Sequence, residues 1–509
     1  MTDKFRHTIL FTVFMLMQHA FTGCHKELLP EPEPTESESG LMQLDGAEGF
    51  LDVDSRTLMF PLQADSVDDY RALVGFQDYE SMWFNGSKLV EGEENQLGKV
   101  SVAGSYMLVG EKETLTDTFF VVFTKIPLMR IQIDTKIRDE PKLLCSIQIH
   151  SYDDPSKVET DVFESLAGVE IRGRSSTRYV KKSYGLELWE DASENDYIAS
   201  LLGLRASEDW ILDAMYVDRS RMRNKLAFDL WEEISGLPSA SPGHSIYPGV
   251  RSRFVELFIN DSYEGVYNLM EKLDEHILQF NKYQYETGGV MYKAMGYGEG
   301  STSFDTCCAP YPEGFLWESW EQIYPDHETM WEPLETLRYL VVHSDDEEFS
   351  RKIGEMADIG MLADYYLYIN LLMALDNIGK NTFLARFNSS SPFFILPWDV
   401  EASLGKLWDG KDAVEHIMAT NNLFNRLKET NAGDFNELVE EKWEAFREGE
   451  FSTRELQELA TAYGRLLDAN GSIQRENERW DLDIDITAEA GYIVDWLEAR
   501  MEYLTHQFD

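Results

Sequence analysis

The sequence predicts an α+β protein whose N-terminal half is rich in strands and whose C-terminal half is mainly helical. Three observations support this prediction. Between residues 45 and 128, short β-like runs alternate with polar turns. Residues 129–280 have the order strands, one helix, more strands. Beyond about Met361, apolar residues recur with the helical period of about 3.6 residues, and one hairpin pattern interrupts them.

Composition excludes one class of partner. The chain has 509 residues, of which 43% are apolar and 13% aromatic, as in globular proteins with several domains. It carries 92 acidic against 45 basic residues, a net charge of -47. Nucleic acids are held mainly by Lys and Arg on their phosphates, so a nucleic-acid partner is not expected. Such acidity fits a soluble, self-repelling surface or one that meets cations.

The first residues predict export. Lys4 and Arg6 precede an apolar run, residues 9–17, that is too short to span a bilayer. This pattern is typical of a secretory signal peptide, here over residues 1–23. Cys24 follows Gly23 as in a bacterial lipobox, where the Cys is acylated, and the alternative is an ordinary signal with an incidental Cys. Membrane contact is therefore expected only through an N-terminal lipid anchor.

Residues 24–44 predict an extended tether. They are rich in Pro, Glu and Ser and poor in apolar side chains, so they cannot bury a core. A Cys followed by an acidic tether resembles the surface lipoproteins of Gram-negative bacteria. That resemblance implies an outer-membrane or cell-surface location.

Residues 45–128 predict a small all-β domain. Strand-like runs at 49–53, 99–102 and 118–123 are separated by turn signals such as Asn85-Gly86. This spacing favours a β-sandwich with an immunoglobulin-like outline. No titratable cluster stands out in it, so we interpret it as a spacer or interaction module.

Residues 129–280 combine strands with one helix. Strand-like runs at 144–149 and 181–188 precede a helical pattern that Asp218 caps and that runs through about Ser235. Residues 254–271 then read as a hairpin.

A turn in this region concentrates positive charge in an otherwise acidic chain. It offers a glycine, hydroxyls and arginines, and two lysines follow; the residues are Arg172, Gly173, Arg174, Ser175, Ser176, Lys181 and Lys182. Such a set can cradle an anion, and a nucleotide needs such contacts to its phosphates. The alternative is that these arginines are ordinary salt-bridged surface residues.

Residues 281–509 are predicted to be helical around one β-hairpin. Its arms, residues 382–387 and 393–397, begin and end at the same edge, so Asp376, Asn381 and Asp399 should converge there. An amide oxygen and a carboxylate form a hard, oxygen-lined site suited to Mg²⁺, and the remaining Asp376 is then available as a base. The spacing matches the catalytic and metal loops of protein kinases.

The cysteines leave their pairing open. Beyond Cys24, the chain holds Cys145, Cys307 and Cys308, and adjacent cysteines rarely bridge each other. A bridge from Cys145 to either of the other two is one alternative. No Cys/His spacing predicts zinc.

Several ordered motifs together resemble the spore-coat protein H (CotH) kinase family, an atypical secreted protein-kinase-like family, over about residues 129–505. The motifs are Ile171-Arg172-Gly173-Arg174-Ser175-Ser176 through Lys181-Lys182-Ser183-Tyr184, Asp218-Arg219-Ser220-Arg221-Met222-Arg223-Asn224, Glu264-Gly265-Val266-Tyr267-Asn268-Leu269-Met270-Glu271, Asp376 to Asn381, and Pro397-Trp398-Asp399-Val400-Glu401. The resemblance implies an atypical bilobal kinase fold, with residues 129–280 as N-lobe and 281–509 as C-lobe.

The resemblance also implies cofactors and roles. The family implies phosphorylation of protein Ser or Thr with ATP and Mg²⁺. Asp376 resembles the catalytic base, Asn381 and Asp399 the metal ligands, and Lys181 or Lys182 the phosphate-contacting lysine. Glu271 ends the strand that resembles the one leading to the hinge that meets adenine. The sequence departs from ordinary kinases because it lacks GxGxxG and because the Asp218 helix offers no mid-helix Glu to pair with the lysine.

Three other functions fit parts of the sequence. The first is a non-catalytic, kinase-like adhesin or binding lipoprotein. The second is transfer of another group, such as an adenylyl moiety, on the same fold. The third is glycan handling, for which Trp231, Trp317 and Trp320 would be sugar platforms, although such residues more often belong to a core.

Overall fold

The computed structural model describes residues 40–102, 104–152, 160–174, 176–239, 246–280, 284, 288–413, 416–449 and 452–508. The predicted signal peptide, Cys24, nearly all of the tether and Ser175 lie outside these ranges. Within them the chain is α+β, as the sequence predicts, with four sheets and nine α-helices. None of the helices in these ranges is both long and apolar enough to cross a bilayer.

The strands and helices have the following bounds. The strands are β1 Met42–Leu44, β2 Ala47–Glu48, β3 Phe50–Asp52, β4 Thr57–Pro61, β5 Ser66–Phe76, β6 Ser81–Phe84, β7 Ser87–Lys88, β8 Glu93–Ser101, β9 Ser105–Lys112, β10 Leu115–Thr124, β11 Leu128–Gln132, β12 Leu143–Ser151, β13 Asp161–Arg172, β14 Ser183–Trp189, β15 Asp209–Asp213, β16 Ser252–Ile259, β17 Ser262–Glu271, β18 Val290–Met295, β19 Leu316–Trp317, β20 Trp320–Tyr324, β21 Lys380–Arg386 and β22 Phe394–Pro397. The helices are α1 Arg223–Ile234, α2 Glu332–His343, α3 Asp346–Met356, α4 Ile359–Leu372, α5 Asn422–Thr430, α6 Phe435–Glu448, α7 Thr453–Ala469, α8 Ser472–Trp480 and α9 Ile486–Phe508.

Strands β1–β10 form two sheets, in the orders β2-β1-β5-β8 and β3-β4-β10-β9-β6-β7. The two sheets share one core, in which Val74 and Val100 of the first are buried together with Phe84 and Phe123 of the second. Buried and less buried residues alternate along β6, which gives that strand one core face. The strands predicted in this region are confirmed, while the immunoglobulin-like arrangement stays a prediction.

Strands β11–β17 close into a barrel in the order β11-β12-β13-β14-β15-β17-β16. The barrel closes because β11 pairs in parallel with β16, about a hundred residues later, through Met129 and Leu257. Its interior is a separate hydrophobic core that includes Ile147 and Leu186. The sequence predicts most of these strands, but neither β15 nor the closure, because pairing between distant strands leaves no local pattern.

The remaining sheet and the helices surround a second large core. The sheet has the order β19-β20-β18-β21-β22, and β21 and β22 are the arms of the predicted hairpin. Helix α4 is buried over nearly its whole length, so its sequence is apolar on all sides. Helix α1 packs in this core as well, and Tyr368 of α4 donates a hydrogen bond to the Ala227 carbonyl of α1 at 3.0 Å.

Two local predictions need correction. The helix predicted from Asp218 begins at Arg223, and the Asp218 carboxylate still satisfies its first turn by accepting from the backbone N–H groups of Met222 and Arg223. The cysteine pairing also differs from the bridge to Cys145 considered above. Cys307 and Cys308 are joined to each other, and Cys145 is free and buried in the barrel core.

Candidate active site

The hairpin brings Asn381 and Asp399 side by side. Its last register pair at the open end is Thr382 with Pro397, so Asn381 lies one residue and Asp399 two residues beyond that pair. The Asn381 amide nitrogen lies 3.3 Å from the Asp399 carboxylate and 3.2 Å from its backbone oxygen. Both residues have left-handed backbone, with φ of 54° and 49°, which turns the chain out of the strands at this edge.

Asn377 holds the two arms of the hairpin together at the site. Its side-chain amide donates to the backbone oxygens of Asn381 and Trp398, both at 2.9 Å. Asn377 is 2% exposed, so these bonds are shielded from water. A single buried amide therefore fixes the positions from which Asn381 and Asp399 project.

Asp376 lies in the short 3₁₀ turn, residues 375–378, that leads into β21. Its carboxylate is 3.2 Å from the Lys380 ammonium. The positive charge of Lys380 also partly offsets the rise in the pKa of Asp399 that burial causes. The structure thus joins Asn381 to Asp399 directly, while Asp376 pairs with Lys380 in the turn that leads into the hairpin.

Two further carboxylates face Asp399. Burial raises the pKa of the Asp399 carboxyl, and the negative charge of Asp213 raises it further. Burial also raises the pKa of Glu401 well above its usual range, and the charges of Asp399 and Asp213 add to that shift. The ionised forms of Asp399 and Glu401 are thus disfavoured by burial and by neighbouring negative charge, and a bound cation would offset that cost.

Asn224 of helix α1 joins this acidic group to the rest of the structure. Its amide nitrogen donates to Asp213 at 3.1 Å, and its oxygen accepts from the backbone N–H of Val400 at 3.0 Å. Asn224 is 3% exposed. Because it bridges the end of β15 and the segment between Asp399 and Glu401, it fixes the distance between acids that are far apart in sequence.

Two cations lie over Trp398, the residue before Asp399. The Arg172 guanidinium lies 5.6 Å and the Lys293 ammonium 5.7 Å from the centre of the Trp398 ring. Burial lowers the pKa of both groups, and the Asp399 charge opposes that shift in each. Trp398 is 6% exposed and contacts Phe383 edge-on at 5.9 Å, so it packs beneath these cations.

The predicted anion cradle continues from Arg172 at the end of β13. Gly173 has a φ of 110°, and a Cβ there would lie 1.9 Å from the Ser176 hydroxyl, so the turn requires glycine. Arg174 is exposed, and Ser176 begins a 3₁₀ turn through Arg178. The structure places Arg172 next to Asp399, and it places Gly173, Arg174 and Ser176 in the loop that follows.

The two predicted lysines have partners inside the protein. Lys181 is fully buried and donates to the Glu476 carboxylate at 2.8 Å and to the Val266 carbonyl at 2.5 Å. Burial lowers the pKa of Lys181 to about 8, although Glu476 opposes the shift. Lys182 donates to the backbone oxygens of Thr177 and Tyr179. A phosphate contact by either lysine stays a prediction.

Glu271 ends β17, as the sequence predicts, and its carboxylate is already bonded. It accepts from the backbone N–H of Arg205 at 2.8 Å and from the Arg205 guanidinium. It also accepts from the backbone N–H of Arg251 at 2.8 Å. The side chain therefore anchors two loops, and a role near adenine stays a prediction.

Sequence reasoning missed four residues of this arrangement: Asp213, Asn224, Lys293 and Glu476. Asp213 ends strand β15 and Lys293 lies within strand β18. A charged residue in a mainly apolar strand is a signal that the sequence itself offers. Glu476 was missed as a partner of Lys181 because 295 residues separate them. The three tryptophans considered as sugar platforms are all buried, which removes the basis for glycan handling.

The residues present fit a divalent cation. Asp399, Glu401 and Asp213 offer carboxylate oxygens, and the Asn381 side chain can present its oxygen by rotation of the amide. Hard oxygen donors of this kind are those that Mg²⁺ prefers. Together, the fold and the site define an α+β protein with a half-buried acidic group at the open end of a hairpin, next to a tryptophan that an arginine and a lysine cover.

Comparison with known proteins identifies the family. The model of the family described as CotH kinase protein matches residues 169–504, which is more than half of the chain. The chain therefore belongs to the CotH kinase protein family, and the resemblance inferred from the motifs is confirmed. Inner spore coat protein H of Bacillus subtilis (strain 168) is 24% identical over 259 residues, which are 50% of this chain and 64% of that protein. The match thus spans less than two thirds of that relative's length.

Proposed function

We propose that the chain transfers the γ-phosphoryl group of ATP, with Mg²⁺, to a Ser or Thr hydroxyl of a surface or secreted protein. The observation that carries this proposal is the 3.3 Å approach of Asn381 and Asp399 at the open end of the hairpin, with Asp376 in the turn that leads into its first arm. Phosphoryl transfer needs a group to accept the hydroxyl proton and oxygen ligands to hold a metal against the phosphates. Membership of a family described as kinases supports the same reaction.

The reaction would use the residues as follows. The substrate oxygen bonds to the γ-phosphorus, the bond from that phosphorus to the ADP oxygen breaks, and the hydroxyl proton passes to Asp376. Mg²⁺ bound by Asp399 and Asn381 would supply charge neutralisation to the phosphates. The positive charges of Arg172 and Lys293, which cover Trp398 and act on Asp399, would stabilise the transferring group.

The proposal includes an architecture. In it, the barrel with residues 129–280 serves as the N-lobe, residues 281–509 serve as the C-lobe, and the two β-sheets of residues 45–128 form an immunoglobulin-like spacer. The approach of Arg172 from the barrel to Trp398 after the hairpin supports a site shared by the two lobes. The Lys181–Glu476 ion pair supports a variant of the kinase lysine–glutamate pair whose acid comes from helix α8.

The proposal also includes a location outside the cytoplasm. The signal-like residues 1–23 and the lipobox-like Cys24 are its basis in the sequence. The name of the Bacillus subtilis relative, a spore coat protein, supports a surface location. The assignment to a Gram-negative lipoprotein rests on the tether sequence alone.

An assay with γ-labelled ATP tests the reaction. The purified chain is incubated with Mg²⁺ and dephosphorylated casein, and label is counted on both proteins for the wild type, Asp376→Asn and Asp399→Asn. Asp434→Asn is the matched control, because Asp434 is an exposed acid at the start of α6. We expect label with the wild type and the control and at least about a hundredfold less with the two site variants.

Two results would reject the proposal. Equal label on all four proteins would mean that Asp376 and Asp399 have no catalytic part. Absence of label on the wild type would favour a binding protein that keeps the fold without the chemistry. The intact mass of the product separates a phosphoryl from an adenylyl adduct, because the two differ greatly in size.

A further inference from the structure

The joined cysteines Cys307 and Cys308 lie beside His343, the last residue of helix α2. One ligand atom from each of the three side chains lies within 4.8 Å of the other two. Cys308 and His343 are exposed and Cys307 is half-buried, so a solvent ion can reach the group. None of the three takes part in the candidate active site.

We propose that Cys307, Cys308 and His343, once the cysteines are reduced, bind one borderline or soft divalent cation such as Zn²⁺. Thiolate sulfur and imidazole nitrogen are the ligands that Zn²⁺ prefers, at about 2.3 Å and about 2.0 Å. In a tetrahedral site these lengths put the ligand atoms about 3.5–3.8 Å from one another. The observed spacing therefore needs only small side-chain rotations.

The site exists only in the reduced state, so its occupancy reports redox conditions. An external dithiol reduces the bond between Cys307 and Cys308 to two thiols by supplying two electrons and two protons. The external dithiol is itself oxidised to a disulfide. The cation then displaces the two thiol protons as it binds. Oxidation re-forms the bond and releases the cation.

Arg338 keeps the ligands together without the disulfide. It lies on helix α2, five residues before His343, and its guanidinium donates to the carbonyl of Thr306, the residue before Cys307, at 3.1 Å. The same guanidinium is 2.6 Å from the Glu318 carboxylate and 4.5 Å from the Trp317 ring, and the side chain is fully buried. The loop that carries the sulfurs is thus attached to the helix that carries the imidazole, and reduction leaves that attachment in place.

Charge and ligand type favour a cation here that differs from Mg²⁺. The carbonyl groups at the end of α2 carry partial negative charge, and the net charge of -47 raises the cation concentration at the surface. Two sulfurs and one nitrogen select against hard cations, so this site would not compete with the oxygen-lined one. Three protein ligands leave a fourth position for water.

Cadmium titration tests the site. The full chain with Cys24→Ser is reduced with a phosphine and titrated with Cd²⁺. The charge-transfer absorption from thiolate to cadmium is recorded during the titration. Zn²⁺ is then added to test whether it displaces the cadmium. We expect one equivalent to bind the reduced protein and none to bind after oxidation. His343→Gln should weaken binding by at least about tenfold, because it removes a direct ligand. Cys307→Ser and Cys308→Ser should each abolish the absorption.

Cys145→Ala is the matched control, since that thiol is buried in the barrel core and should not contribute. It should bind Cd²⁺ like the parent. The inference is overturned if the reduced parent shows no charge-transfer band, if His343→Gln binds as tightly as the parent, or if Cys145→Ala loses the band. Far-ultraviolet circular dichroism of each variant confirms that a lost signal is not a lost fold.

Discussion

We expect Glu476 to contribute more to stability than the other buried charged residues around it, because its carboxylate compensates the positive charges of Lys181 and Arg221. It accepts from Lys181 at 2.8 Å, from the Arg221 guanidinium at 3.0 Å and from the Val266 backbone N–H at 2.9 Å. All three charged side chains are fully buried. Glu476→Gln removes the charge that compensates two cations at once, and breaking such an arrangement costs about 3–5 kcal/mol.

Lys181→Met should cost less, because the carboxylate of Glu476 keeps Arg221 and the Val266 N–H. We expect about 1–2 kcal/mol for this variant. The deficit of Glu476→Gln should also be smaller at about pH 8 than at about pH 6. In Glu476→Gln, Lys181 has lost its partner and gives up its proton more readily in the folded state. The folded variant therefore binds fewer protons than the unfolded variant over this pH range, and its free energy of unfolding rises with pH.

Urea unfolding followed by tryptophan fluorescence measures both variants. Glu478→Gln on the same helix is the matched control, because Glu478 is exposed and its change should stay within about 0.5 kcal/mol. Lys181→Met with a cost equal to or above that of Glu476→Gln would refute the reasoning. So would a Glu476→Gln midpoint that equals the control.

Three further predictions concern single side chains. Burial raises the pKa of Asp274 to about 6, so the folded state binds more protons than the unfolded state and the free energy of unfolding falls from about pH 4 to about pH 6. Asp274→Asn should flatten that part of the curve of stability against pH and should stabilise the protein by about 1–2 kcal/mol at neutral pH. An unchanged slope would contradict this. Asn224→Ala should raise the Mg²⁺ concentration needed for half-maximal activity by about tenfold, because Asn224 positions Asp213 against Val400, and an unaltered Mg²⁺ curve would count against that role. Lys293→Met should lower kcat/KM for ATP by about a hundredfold in steady-state kinetics, and a value within twofold (about the assay error) of the wild type would remove Lys293 from the site.

Local patterns in the sequence were enough to predict the hairpin and the convergence at its open end. The arms were expected at 382–387 and 393–397 and are found at Lys380–Arg386 and Phe394–Pro397. Once the hairpin is known, its geometry places Asn381 next to Asp399, because the two ends of a hairpin lie at one edge. Most strands of the barrel were predicted for the same reason, since each of these has its own alternating or apolar pattern, whereas β15 was not predicted.

The rest of the site depends on contacts that no local pattern encodes. Asp213 and Asn224 reach Asp399 only because β15 and α1 pack against the segment after the hairpin. Glu476 reaches Lys181 from a helix near the C-terminus, 295 residues away in the sequence. The disulfide between Cys307 and Cys308 was not expected because general geometry disfavours a bond between adjacent cysteines.

The most direct measurement of the central claim is the thermal stabilisation of the chain by ATP with and without Mg²⁺. If Asp399 and its neighbours hold a metal-bound nucleotide, ATP and Mg²⁺ together should raise the Tm of the wild type, and neither should do so alone. Ligand at about 100 times its Kd contributes about 2.7 kcal/mol. Asp399→Ala should show no shift. A shift of equal size in Asp399→Ala, or one that needs no Mg²⁺, would contradict the account.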